Sequence, residues 1–259
     1  MDEIMEERIQ MKETEMSLDI GLSLGGWKAR TNLEHCVKYW NFDYENAMPA
    51  SSVSGYHYGM TGKEKEMIVT DKRGYNHIFK ATAQAFQNKV LLKKIIKTVK
   101  KTKGGYYQVG ASDGSCYEGK QVLITFSSNV LASGKVKFDP DLPTWKKRAQ
   151  LMFPLGHYCK VFLEFAYQFW DSSDHVMAVQ RNPEEYSLWQ NLNRPGLYPG
   201  KNLLVVTLTG DKCLRSQRET DRVVKQDAMR VLKKLYGTWI PNPIGEQLKT
   251  NLECYANNI

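Results

Sequence analysis

Hydrophobic and polar residues are spaced in three different ways along this chain, and each spacing predicts a different element. From Asp221 to Tyr236 the apolar positions Val224, Ala228, Val231, Leu232 and Leu235 recur at the helical period, which predicts an amphipathic helix stopped by Gly237. From Tyr158 to Phe165 the pattern alternates. Val161, Leu163 and Phe165 share one face and Phe162 takes the other, as in a half-buried strand. Leu203 to Leu208 is nearly all apolar between Gly200 and Gly210, the signature of a central strand buried on both faces.

Weaker patterns fill in the rest. An amphipathic helix is expected over Met1–Met16, with an apolar continuation from Leu18 to Leu24 that ends at Gly25-Gly26. Further helices are expected over Asn32–Trp40, Tyr75–Phe86 and, led by a proline, Pro143–Met152. Pro49 and the Ser51–Gly55 segment read as a loop, and Met67–Val69 as a short strand. Strands over Val90–Leu92, Ile95–Val99, Tyr106–Val109 and Gln121–Phe126, separated by Gly104-Gly105 and Asp113-Gly114 turns, form a hairpin or meander. No repeat is visible. The expected fold is mixed α/β (α+β), a mixed β-sheet flanked by helices, with a helical arm at 1–30, a body at 31–243 and a tail at 244–259.

Composition narrows the function classes. With 42% hydrophobic residues in 259, the chain can bury a substantial core. No apolar run reaches the roughly 18 residues a membrane span needs, and the charged N-terminus offers no export signal, so a cytoplasmic protein without membrane contact is expected. The net charge of +8 would attract polyanions. Its densest stretch, Lys93–Lys103, interleaves Ile95, Ile96 and Val99, so its lysines fit the solvated side of a strand and nucleic acid is not expected as a partner. The five cysteines, Cys36, Cys116, Cys159, Cys213 and Cys254, stand far apart and never as C-x-x-C, so isolated reduced thiols are expected. The five histidines lack metal-ligand spacing, and no metal site is expected.

Several segments together resemble the flavin-containing amine oxidases, and among them the polyamine oxidases. These are KYWNFDYENAMP (Lys38–Pro49), DKRGYNHIFKATA, the stretch from LLKKIIKTVKK to LITFSSNVL, VKFDPDLPTWKKRAQLMFPLGHYCKVFLEFAYQFW, and LLVVTLTGDKCLRSQRETD. The resemblance implies FAD as cofactor, hydride transfer from a polyamine or another amine, and release of peroxide. It assigns Lys160, in HYCKVFLEF, to the lysine that holds a water against the flavin ring, the catalytic position. A strand-start lysine could equally snorkel to solvent. Glu45 falls on the acid that faces substrate nitrogens, with Tyr44 beside it; an exposed loop acid would read the same way. Tyr158, two residues before Lys160, shares its strand face and suits either a pocket wall or core packing. Ile95 and Thr125 fall on cofactor-contacting positions.

The chain also departs from the family. Asn129 replaces the turn glycine after Thr125, and no strand, G-x-G-x-x-G and helix occur to receive a pyrophosphate. The segment after Pro243 diverges. The expectation is therefore an oxidase substrate region in a truncated or altered form, weak alone in FAD binding, or else a non-catalytic interaction module. An exposed apolar patch where a flavin domain would pack is expected of the former.

Overall fold

The computed structural model describes residues 16–56, 58, 69, 71 and 73–244. The expected helix over Met1–Met16 and strand over Met67–Val69 lie outside them, apart from their last residues. The architecture is mixed α/β, with two four-stranded sheets and flanking helices. It divides into two compact units, one from the described parts of 16–72 and 156–244, the other from Arg73–Leu155.

The first unit opens with α1 (Leu18–Leu24), where Ser17 accepts from the Ile20 amide and Leu18 and Leu22, four apart, are buried. α2 (Asn32–Lys38) starts with a capping box: Thr31 Oγ1 accepts from the Glu34 amide at 3.2 Å while Glu34 Oε2 accepts from the Thr31 amide at 2.8 Å. The helix does not stop near Trp40 as its apolar pattern predicts. It passes through a π-helical turn (Tyr39–Asp43) into a last turn, α3 (Tyr44–Asn46), and ends at left-handed Ala47.

The second unit contains α4 (Asn76–Gln84), β1 (Ile96–Lys101), β2 (Tyr107–Ala111), β3 (Cys116–Gly119), α5 (Ser128–Ala132), β4 (Lys137–Asp139) and α6 (Thr144–Met152). Its sheet runs β3-β2-β1-β4, antiparallel except for the parallel β1–β4 pair. Two expected strands are absent. Val90–Leu92 is exposed and runs into Lys93, whose φ of 61° breaks an extended path. Gln121–Phe126 is irregular: Ile124 and Phe126 lean on the Val99, Val130 and Val136 cluster without joining a ladder. The strand that does form, β3, pairs with β2 across the Asp113-Gly114 turn. Asn129 sits inside α5, not in a left-handed turn.

The first unit resumes with β5 (Tyr158–Glu164), β6 (His175–Met177), β7 (Leu188–Asn191), β8 (Leu203–Thr209), α7 (Gly210–Ser216) and α8 (Asp221–Tyr236). The sheet order is β5-β8-β7-β6, antiparallel throughout. Cys159, Val161 and Leu163 of β5 are buried at alternate positions, and β8 is buried from Leu204 to Thr209, as their patterns predict. Val224, Ala228, Val231 and Leu232 of α8 complete this core. Fully burying one such Leu or Val contributes roughly 1.5–3 kcal/mol.

The expectation of isolated thiols fails at one pair. Cys159 and Cys213 form a disulfide across a sequence separation of 54, with Cα atoms 5.3 Å apart. The pairing of Tyr158 with Thr209 brings the start of β5 beside the end of β8, and α7 folds Cys213 back onto it. Cys36 and Cys116 are free, one buried and one exposed.

Candidate active-site face

Lys160 and Tyr158 stand on one face of β5, opposite the face on which Cys159, Val161 and Leu163 enter the core. Across the ladder they pair with Thr207 and Thr209 of β8. The Lys160 ammonium lies 5.5 Å from the centre of the Tyr158 ring, within cation–π range. The Tyr44 ring meets Tyr158 edge-on at 5.5 Å, and the Tyr39 ring meets Tyr44 at 6.4 Å. Three tyrosines thus lead from the helical segment to the lysine.

The π turn explains how both helix tyrosines reach the sheet. Residues five apart in an α-helix project roughly 140° apart, and the extra residue in the turn takes back roughly 100° of that. Tyr39 and Tyr44 therefore share a face. Asn41 Nδ2 donates to the Val37 carbonyl at 2.8 Å, and the Tyr58 hydroxyl donates to the Asn41 carbonyl at 2.8 Å, which hold the turn.

Gly156 closes the arrangement from the other side. A Cβ there would stand 2.5 Å from the Asn46 carbonyl oxygen and 2.8 Å from the Ala47 Cβ. Only a glycine lets the chain entering β5 pass this close to the end of α3, where the His157 amide donates to the Ala47 carbonyl at 3.2 Å.

Burial sets the electrostatics. It pushes the Tyr158 hydroxyl pKa well up, helped by its hydrogen bond with Tyr44 and by the nearby charge of Glu45. It raises Tyr39 likewise, against a bond with the Thr209 hydroxyl at 3.3 Å. Asp43 is pushed up to about 6 by burial, although the Ala50 amide, 2.9 Å away, and Lys38 favour its charge. Tyr158 and Tyr39 are therefore neutral hydroxyls at physiological pH, and Glu45, exposed on α3, lies near enough for its charge to act on the Tyr158 hydroxyl.

The structure thus brings Tyr44, Tyr158 and Lys160 into one contiguous group, with Glu45 beside it. Ile95 and Thr125 belong to the other unit. Ile95 is 45% exposed, its carbonyl accepting from the Ser112 amide at 2.8 Å, and Thr125 is exposed in an irregular stretch. Sequence reasoning missed Tyr39, Asp43, Thr209 and Gly156. The aromatic density of KYWNFDYE was a signal for Tyr39, but its five-residue offset from Tyr44 argues against a shared face unless a π turn is assumed. Among the described residues no cluster of His, Cys, Asp and Glu could hold a metal, and no helix is long and apolar enough to cross a membrane.

Residues 12–255 match the family model for flavin containing amine oxidoreductase, and the chain belongs to that family. It is 28% identical over 231 residues to polyamine oxidase 1 of Zea mays, covering 80% of this chain and 44% of that protein. It is also 28% identical over 234 residues to a lysine-specific histone demethylase 1 homolog of Arabidopsis thaliana, covering 82% of this chain and 14% of that one. In three dimensions it resembles a putrescine oxidase redesigned in its cofactor binding, at a TM-score of 0.69 and 16% identity over 89% of this chain and 52% of that chain. That likeness shows the fold. The chain spans under half the length of the curated relatives it matches most extensively.

The family's cofactor is FAD. For the phosphate end of such a group the given sequence holds no G-x-G-x-x-G cradle, since no two of its glycines stand two apart.

Proposed function

We propose that this chain contributes the amine-binding face and the proton-handling lysine of a flavin-dependent amine oxidase, with polyamines as the substrate class. The observation that carries the reading is the single face on which Lys160, Tyr158 and Tyr44 meet beside Glu45. Glu45 pairs with a substrate ammonium, and the tyrosine rings receive the cationic and aliphatic parts of the chain. Lys160, held at the start of a core strand, exchanges a proton through a water at its Nζ so that the reacting nitrogen is uncharged. FAD, when bound, supplies the hydride acceptor. The neutral hydroxyl of Tyr158 can orient that water without competing for its proton.

The test is an absorbance scan after incubation with excess FAD and desalting, with a peroxide assay on spermine. Retained flavin and a peroxide signal that falls on the order of a hundredfold in Lys160→Met support the reading. Peroxide undiminished in that variant removes Lys160 from the chemistry. A second reading, a non-catalytic interaction module, draws on the apolar surface of the Arg73–Leu155 unit, where Leu123 is 90% exposed and Phe153 72%. A stable fold that never retains flavin favours it.

A further inference from the structure

The disulfide sits directly behind the candidate site. Cys159 lies between Tyr158 and Lys160 and points to the opposite face of β5, where its sulfur joins Cys213 of α7 with both residues fully buried. Gln217 Nε2 reaches both sulfurs, at 3.7 and 3.5 Å. α7 is held on its other side by Lys212, buried over the Tyr186 ring at 5.2 Å and paired with Asp227 of α8 at 3.2 Å. Seven residues long and without a side-chain N-cap bond, α7 has little intrinsic stability. Its side-chain hold on β5 is the bridge, beside the bond the Gly210 amide donates to the His157 carbonyl at 3.1 Å, and its hold on α8 is Lys212.

We propose that Cys159–Cys213 is a redox-operated latch on the strand that carries the amine-binding face. Closed, it clamps α7 to β5 and fixes the backbone of Tyr158 and Lys160; open, it leaves that stretch held by the ladder to β8 and by the core packing of Val161 and Leu163. Closing removes two protons and two electrons from the thiols. A peroxide accepts them: its O–O bond breaks, two waters leave and one S–S bond forms. Peroxide is the co-product of the proposed oxidation, so the site's own turnover would close the latch. That regulatory consequence rests on the proposed function; the clamp itself does not.

The experiment compares the full chain reduced with dithiothreitol and desalted without air against the same chain treated with one equivalent of hydrogen peroxide. After denaturation and alkylation, the reduced form takes five labels; the bridged pair leaves three in the oxidised form, with Cys159 and Cys213 unlabelled. Hydrogen exchange in 158–164 and 210–216 is about tenfold faster in the reduced form, and exchange in α2 is unchanged. Cys213→Ser behaves as the reduced form in either condition, and Cys116→Ser, an exposed thiol, keeps the difference. If Cys213→Ser does not fold, the reduced wild type carries the same comparison. Labelling of Cys159 and Cys213 after peroxide, or equal exchange in 158–164 in both forms, overturns the latch. Exchange that follows the redox state while spermine binds neither form supports the latch and removes the polyamine reading.

Discussion

The two units are built from the same kinds of residues but bury them very differently. In the unit that carries Lys160, eighteen buried residues from β5, β7, β8, α7, α8 and their connections form one core. In the Arg73–Leu155 unit the buried cluster is three valines, Val99, Val130 and Val136, and α4 and α6 bury none of their residues. Ile78, Phe79, Leu91, Trp145, Leu151 and Phe153 are instead exposed. The first unit stabilises its site with its own core, whereas the second leaves large apolar side chains at its surface. The proposed amine-binding residues lie in the first and the two expected cofactor contacts in the second.

The comparison breaks most visibly at the cores. Leu232→Ala, in the larger core, costs about 2–5 kcal/mol in denaturant unfolding. It shifts hydrogen exchange in 158–164 and 203–209 but not in β1 and β2; a uniform shift would mean one cooperative body. Gly156→Ala is next, at about 1–3 kcal/mol, because its methyl group must displace backbone at Asn46 and Ala47. The same variant parts Tyr44 from Tyr158, read as a lost ring-to-ring nuclear Overhauser effect.

Asp43 gives a smaller effect with a defined sign. Its pKa rises from 3.8 to about 6 on folding, so its contribution to stability is fully present below the unfolded value and is lost as pH rises through about 6. Asp43→Asn keeps an acceptor for the Ala50 amide and removes that loss. The variant should gain about 1–2 kcal/mol on wild type at pH 8, after allowance for partial exposure, and converge with it below about pH 4. Melts at both pH values check this. Smallest of all, Phe153→Gln should change stability by less than about 0.5 kcal/mol in denaturant unfolding, since its ring is 72% exposed.

The larger core was legible in the sequence for physical reasons. Alternation at Val161, Leu163 and Phe165, the unbroken run at Leu203–Leu208 and the helical stripe of Asp221–Tyr236 each report a single burial geometry. The other unit was less legible because little in it is buried: Val90–Leu92 has the composition of a strand but no partner, and Lys93 turns the chain away. The Cys159–Cys213 bridge depends on the β5–β8 register and the turn into α7, neither of which the spacing of cysteines records. At the candidate site, segment resemblance named Tyr44, Glu45, Tyr158 and Lys160. The π turn that puts Tyr39 and Tyr44 on one face, and the close passage at Gly156, are backbone events without a residue pattern of their own.

The central claim, an amine-binding face contained in one unit, is tested most directly by calorimetric titration of the chain with spermine, wild type against Glu45→Gln. The account predicts saturable binding that weakens about tenfold when the Glu45 charge is removed, with unchanged thermal stability. No binding by wild type, or equal affinity in both proteins, would contradict it.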